Sequence, residues 1–406
     1  MPEGRRPRAS RGSTRKRGKT TSSQSLHARL SGFYFFYYAT VGAFMPYWSP
    51  YLEARGFSAA QMGIAYALMG VTRSFMPIAW GWWGDSTGRR INMIRRAVLV
   101  SLVLFLCIPF SDSLVGIGAF MLAYSIFWHA LLPQFEVVAL GHLQVHGGDY
   151  SRVRLWGSVG FVAAVLGLGP ILDALGILPL PWLVGAMFAA MAASAWLVPE
   201  APAPVHAAVE SVPILDVLRR PWVKALLAAC LLSQLSFAPY YNFFTLFLER
   251  HDYARSTAGL LWALAVIAEV GLFLVMGRLI AAVGPRRLML VVLAATALRW
   301  LLTALLVDSL PLLVLLQLSH ALTFGAYHAL AVYYVQQYFP GSMQGRGQAF
   351  YNAAAYGLGG SIGSLASGYL WQHVSPEAVF VAAGLAALAG WAVAWRGLRD
   401  EPLRVS

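Results

Sequence analysis

Charge is scarce in this chain. Only 12% of its 406 residues are Asp, Glu, Lys or Arg, about half the share of a soluble domain. Cysteine is rarer still. Cys107 and Cys230 are the full complement; both sit inside apolar runs with no metal-ligand spacing, which argues against a disulfide framework and a zinc site. No Gly-x-x-x-x-Gly-Lys segment occurs, so ATP is not expected to drive the protein. Nor is there a cluster of His, Asp, Glu or Ser of the kind that would mark an enzyme's water-facing site. No cofactor or metal is expected.

What is abundant is hydrocarbon, with 58% hydrophobic residues. Crossing an apolar core of about 30 Å takes about 20 mostly apolar residues. Runs of that size fall near 30–52, 59–82, 94–111, 114–137, 155–175, 179–198, 222–248, 257–281, 287–307, 311–337, 347–371 and 377–396. Each is expected to be helical, because an unpaired amide facing lipid costs several kcal/mol. The fold class expected is an all-α integral membrane protein of twelve transmembrane helices in two pseudo-symmetric six-helix bundles. Residues 30–198 and 222–397 would form the bundles and 199–221, with Pro199, Pro202, Pro204 and Pro213, the cytoplasmic linker between them.

A net charge of +13 on its own suggests nucleic acid, but the basic residues are in the wrong places for it. Nine of the 30 precede Leu30, and others cluster at Arg89, Arg90, Arg95 and Arg96, at Arg152 and Arg154, at Arg219, Arg220 and Lys224, at Arg286 and Arg287, and at Arg396 and Arg399. All lie in tails or even-numbered loops, and the intervening loops hold mostly Glu53, Asp112, Asp173, Asp308 and Glu377. Both termini are therefore expected in the cytoplasm, and the partners are the bilayer, protons and a small solute, with no nucleic acid. Residues 1–29 read as a disordered basic tail that is no cleavable leader, with lipid headgroups as a sharper alternative for its charges. Residues 398–406 read as a second tail.

The two halves repeat. LEARGFSAAQMGIAYAL from Leu52 and LERHDYARSTAGLLWAL from Leu248 align at an offset of 196, which also superposes Gly81 on Gly277, Gly88 on Gly284 and Arg90 on Arg286. Duplicated halves in a membrane chain usually enclose a substrate path near mid-bilayer. Between the second and third spans, Gly81, Asp85, Gly88, Arg89 and Arg90 form a tight basic turn. Glycine supplies positive φ, the acid is expected to cap the following helix, and the arginines stay out of the membrane. The spacing resembles the signature loop of the major facilitator superfamily. In the second copy, Ala281 stands where Asp85 would fall.

The segments FYFFYYATVGAFMPYWSPYLEARGFS, YSRVRLWGSVGFV, AVIAEV, ALRW and QLSHALTFGAYHAL are similar to the phenylpropionate permease family, a branch near the lactose permease type of proton symporter. That resemblance implies a bacterial inner-membrane carrier working as a monomer by alternating access, with symport of a proton and a small aromatic carboxylate such as 3-phenylpropionate. A sugar or nucleoside symporter and a proton-driven drug exporter are the alternatives.

A charge at mid-membrane costs about 3 kcal/mol or more and asks for a function or a partner. Counted along their spans, Glu269, Arg299 and His320 come to roughly 20, 18 and 14 Å from the helix ends, near the middle of the core. Whether a carboxyl at that depth holds a proton depends on its distance from a guanidinium. Glu269 is thus expected to carry the proton, Arg299 to modulate it and His320 to relay or orient; a static ion-paired strut is the alternative. The lactose permease resemblance implies the same three positions, with Thr323 where those symporters have a further acid.

Glu136 and Arg154, 18 residues apart, match a substrate-contacting pair of that family, Arg154 lying in Arg152-Val-Arg154-Leu-Trp-Gly157. The alternative is that they are topology charges at the cytoplasmic lip. Arg73 stands at the repeat position of Glu269 and is a candidate for a substrate carboxylate, with Asp85 as the alternative partner. Trp262, two turns before Glu269 on one face, is a candidate wall for a ring-bearing ligand. Phe161 and Leu272 replace a tryptophan and an asparagine that hold sugar in the lactose type. His129 shares a face with Glu136. Glycines 357, 359, 360, 363 and 368 leave the eleventh span little bulk, which suits close or sliding helices.

Overall fold

A computed structural model of the chain describes residues 14–200 and 214–400, and the regular structure among them is helical, with no strand. In chain order the helices are α1 (Thr14–Phe44), α2 (Trp48–Ala54), α3 (Ala59–Thr87), α4 (Arg90–Leu106), α5 (Leu114–His146), α6 (Tyr150–Leu175), α7 (Leu180–Leu197), α8 (Ile214–Arg219), α9 (Pro221–Arg250), α10 (Arg255–Phe273), α11 (Met276–Val283), α12 (Pro285–Leu305), α13 (Leu310–Leu318), α14 (Tyr327–Tyr338), α15 (Gln344–Asn352), α16 (Gly360–His373) and α17 (Pro376–Gly397). Two π-helical turns, Ala321–Ala326 and Ala353–Gly359, join α13 to α14 and α15 to α16.

Among the described residues, nine helical stretches are long and apolar enough to cross a membrane. The other three expected spans fall on α1, on α3 and on α15 with α16. These are helical too but carry more polar side chains and glycine. α1 begins at Thr14, inside the stretch read as a disordered tail, so the helix extends well before the apolar run that predicts it. Residues 1–13 of that tail, 201–213 of the linker and 401–406 of the second tail lie outside the described residues.

Boundaries follow local chemistry. α3 starts at a capping box, Ser58 Oγ accepting from the Gln61 amide at 3.3 Å while the Ser58 amide donates to Gln61 Oε1 at 2.8 Å. It stops at Gly88, whose φ of +63° only glycine adopts without cost. Ser113 and Ser375 are simple N-caps of α5 and α17, their side chains accepting from the Gly116 and Ala378 amides.

Helix contacts place the site. α1 packs on α6 and α7, α3 on α5, and α4 on α5 and α7; in the second half α17 packs on α9 and α12, and α9 on α16. The halves meet where α3 lies on α16 and α6 on α10. Glycine makes these crossings possible. A Cβ on Gly63 would stand 2.6 Å from the Ser364 carbonyl oxygen, one on Gly368 2.4 Å from the Ala59 oxygen, and one on Gly259 2.3 Å from the Val165 oxygen.

Polar contacts reinforce one end of this junction. Arg250 Nη2 lies 2.6 Å from Glu53 Oε1. Asp173, at the end of α6, accepts from the Arg255 and Ser256 amides at the start of α10, at 2.8 and 3.0 Å. Gln372 accepts from the Ala60 amide at 3.1 Å. Beyond Ser74, α3 presents Phe75, Ile78 and Trp82 as exposed side chains.

Candidate functional site

Three elements of the second half converge as the depth argument requires. Arg299, on α12, is 1% exposed. Its Nη1 donates to His320 Nδ1 and to Thr323 Oγ1, both at 3.0 Å, and its Nη2 donates to Gln317 Oε1 at 3.2 Å. The guanidinium also lies 4.5 Å from the Trp300 ring centroid and 4.8 Å from that of Tyr240, within cation–π range. Tyr240 OH donates to the same Gln317 oxygen at 3.0 Å. Arg299 is thus fixed from several sides.

His320 bridges this anchor to α10. Its Nε2 lies 3.7 Å from Glu269 Oε2, and its ring stacks on Phe324 at 5.1 Å. A guanidinium can only donate hydrogen bonds, so His320 Nδ1 accepts, and the neutral ring carries its proton on Nε2, the atom turned toward Glu269. The π-helical turn shapes the far side of the carboxylate: a Cβ on Gly325 would approach Glu269 Cγ to 3.0 Å. Glu269, Arg299 and His320 therefore sit together, with the imidazole between the two charges. Thr323, which cannot ionise usefully, serves as a hydrogen-bond acceptor for Arg299.

The first-half residues are arranged differently. Arg154 Nη2 donates to Tyr38 OH, and its guanidinium lies 4.1 Å from the Tyr38 centroid and 5.5 Å from that of Tyr34. Glu136 Oε1 accepts from Tyr150 OH at 3.3 Å. Each member of the expected pair is thus held by tyrosine. Arg73 does not turn to Asp85; it is exposed and lies 4.4 Å from the ring centroid of Tyr356 on the second π-helical turn. Tyr356 OH in turn lies 3.2 Å from His328 Nδ1. His129 is bonded to Thr72 at 2.9 Å.

Phe161 and Trp262 meet across the α6–α10 crossing, with centroids 6.3 Å apart. Both are buried. Trp262 also rests on Tyr240 at 4.4 Å and donates from Nε1 to Thr245 Oγ1 at 3.2 Å.

The loop motif departs from expectation in one respect. Asp85 does not cap α4; it lies in the last turn of α3 and pairs with Arg90, which also donates to Gln134 of α5. The cap comes from the far end of the first half, Glu200 Oε1 accepting from the Ile91 amide at 3.0 Å. Asp85 is unavailable as a cap because its carboxylate, on the last turn of α3, takes the Arg90 guanidinium. Gly84 leaves the room for Arg90, whose Nη1 would lie 2.7 Å from a Cβ there, while Gln134 stands 3.6 Å from the Cβ position of Gly81. Arg89 precedes α4 without a side-chain capping bond. The second half repeats the plan with Asp400, which accepts from the Arg286 amide at 3.1 Å.

Gln317 and Tyr150 are site residues that sequence reasoning passed over, whereas Tyr34, Tyr38 and Tyr240 fall in the aromatic runs 33–38 and 240–244, some of whose rings are expected to line the path. Tyr34 and Tyr38 carried a signal, since aromatics four apart share a helix face. So did Gln317, a polar residue in an apolar helix three before His320.

The sequence matches the model of the MFS_1 like family over residues 27–382. It is 28% identical over 359 residues to the probable 3-phenylpropionic acid transporter of Escherichia coli (strain K12), covering 87% of this chain and 93% of that one. It is 26% identical over 366 residues to the maltose permease of Geobacillus stearothermophilus, covering 88% and 91%. Among solved structures, nucleoside transporter NupG superposes with a TM-score of 0.79 at 18% identity, over 91% of this chain and 98% of that one.

Proposed function

We infer that this chain, which belongs to the MFS_1 like family, imports a small aromatic carboxylate such as 3-phenylpropionate together with protons. That it is a multi-pass membrane transporter of the major facilitator type, and not an enzyme, follows from the family and its relatives. The finer reading is twelve spans in two six-helix bundles, both termini in the cytoplasm of a bacterial cell, the inner membrane as location, and a monomer that opens to one side at a time.

The observation that carries proton coupling is the line Glu269–His320–Arg299. Arg299 is anchored by Gln317 and Thr323 and holds His320 by Nδ1. His320 therefore presents an N–H to Glu269 and takes no second proton without breaking its bond to Arg299. In this reading Glu269 is the carrier, His320 orients it, and Arg299 sets the field.

For the substrate, Arg154 offers a guanidinium framed by Tyr34 and Tyr38, apt for a carboxylate attached to a ring. The similarity to the probable 3-phenylpropionic acid transporter points the same way. The maltose permease and NupG similarities favour a second reading, a sugar or nucleoside symporter.

Purified protein in liposomes tests both. Uptake of 3-phenylpropionate is expected under an imposed pH gradient, abolished by a protonophore. In Glu269→Gln the response to the gradient is expected to vanish while ligand exchange persists. Gradient-independent uptake by the unmodified protein overturns proton coupling, and accumulation of maltose or nucleosides in place of the acid overturns the substrate.

A further inference from the structure

Two consecutive tyrosines on α9 use their hydroxyls differently. Tyr240 is fully buried and donates to Gln317. Tyr241 is half-buried. Its hydroxyl has no hydrogen-bond partner among the described residues, yet the oxygen is not sealed inside the protein. The ring beneath it is held on several sides, with Phe237 stacked at 5.9 Å, Trp262 stacked at 6.4 Å and Phe324 edge-on at 6.1 Å. A fixed aromatic ring thus presents one open neutral hydroxyl, both donor and acceptor, among the rings of α10 and the first π-helical turn.

Those rings lead to the charged residues on both sides of the junction. Phe324 stacks on His320 at 5.1 Å, and His320 faces Glu269. Trp262 meets Phe161 across the α6–α10 crossing at 6.3 Å. Phe161 lies seven residues after Arg154, on the same face of α6 and about 10 Å further along it. That rise is comparable to the length of an extended arylpropionate, so a ligand with its carboxylate on Arg154 carries the far edge of its ring to the level of this aromatic wall. Within the wall, Tyr241 supplies the open hydroxyl, since Trp262 Nε1 is taken by Thr245.

We propose, on the premise that Arg154 holds the carboxylate of an aromatic acid, that Tyr241 is a specificity-determining residue whose hydroxyl pairs with a hydroxyl on the ligand's ring, which makes ring-hydroxylated arylpropionates the preferred substrates. A phenol hydroxyl matches the Tyr241 hydroxyl as donor and as acceptor, and it brings no charge into a wall of rings. A second carboxylate would leave its charge there with a single donor. A methyl group would leave the tyrosine hydroxyl without a partner.

Isothermal titration calorimetry on the full-length protein in detergent compares 3-phenylpropionate with its 3-hydroxyphenyl, 4-hydroxyphenyl and 4-methylphenyl counterparts. The better of the two hydroxylated acids is expected to bind roughly threefold to tenfold more tightly than 3-phenylpropionate, the gain from one neutral hydrogen bond, and the methyl acid to show no such gain. Tyr241→Phe keeps the ring and drops only the hydroxyl, so it is expected to bring the hydroxylated and plain acids to equal affinity; the plain acid, measured on the same variant, reports any general loss of binding. Equal affinities in the unmodified protein, a preference that survives Tyr241→Phe, or a methyl acid bound as tightly as the hydroxylated ones overturns the role of Tyr241 and leaves the aromatic-carboxylate reading in place. Failure of every one of these acids to bind overturns both.

Discussion

Arg299 and His320 illustrate how one residue's bonding limits another's chemistry. Because a guanidinium never accepts a hydrogen bond, its 3.0 Å contact with His320 Nδ1 fixes which imidazole nitrogen faces Glu269. His320→Gln keeps a donor and an acceptor and is expected to preserve part of the pH-driven uptake, whereas His320→Leu leaves Arg299 short of a partner and is expected to abolish it; initial rates under a pH gradient distinguish the two. Arg154→Gln removes the charge framed by Tyr34 and Tyr38. A hydrogen bond to a charged group is worth about 1.5–3 kcal/mol, so the apparent affinity for phenylpropionate is expected to fall roughly ten- to hundredfold. Competition by the uncharged amide of the same acid should then equal that of the acid itself.

On the scale of helices, one π-helical turn lies against Glu269 and the other against Arg73. Such turns add a residue to the helical circuit and recur at functional sites. Gly325, in the first, has only 3.0 Å between its Cβ position and Glu269 Cγ. Gly325→Ala is expected to shift the carboxylate and move the pH profile of uptake while the protein stays folded, which thermal stability and the profile together report. At the α3–α16 crossing the clash is with backbone: Gly368→Ala meets the Ala59 oxygen at 2.4 Å. Overpacking of this kind costs about 1–3 kcal/mol, and a lowered melting temperature in detergent is the expected readout.

At the scale of the whole molecule, polar contacts join the halves at one end, through Glu53 with Arg250 and Asp173 with the start of α10. If transport requires this end to part, a Glu53→Cys, Arg250→Cys pair is expected to stop uptake when oxidised and recover it when reduced; uptake that continues through full cross-linking contradicts the rocking scheme. Each half also closes on itself at its loop, Glu200 capping α4 in the first and Asp400 capping α12 in the second. The offset of 196 between halves announces that symmetry, yet the capping acids lie far along the chain from the helices they cap. No local pattern connects them.

The scarcity of charge, the spacing of apolar runs and the duplicated motifs made a helical membrane transporter legible from the residues alone, because burying backbone in hydrocarbon leaves helices as the only solution for such runs. Depth counting likewise brought Glu269, Arg299 and His320 to one level, since rise per residue in a helix is constant. Tertiary structure decided what faces what. It put His320 between the charges, gave Arg154 to Tyr38, and turned Arg73 to Tyr356 and Asp85 to Arg90. Those choices depend on contacts between segments distant in sequence; spacing along one helix says which residues share a face but not which neighbouring side chain that face meets.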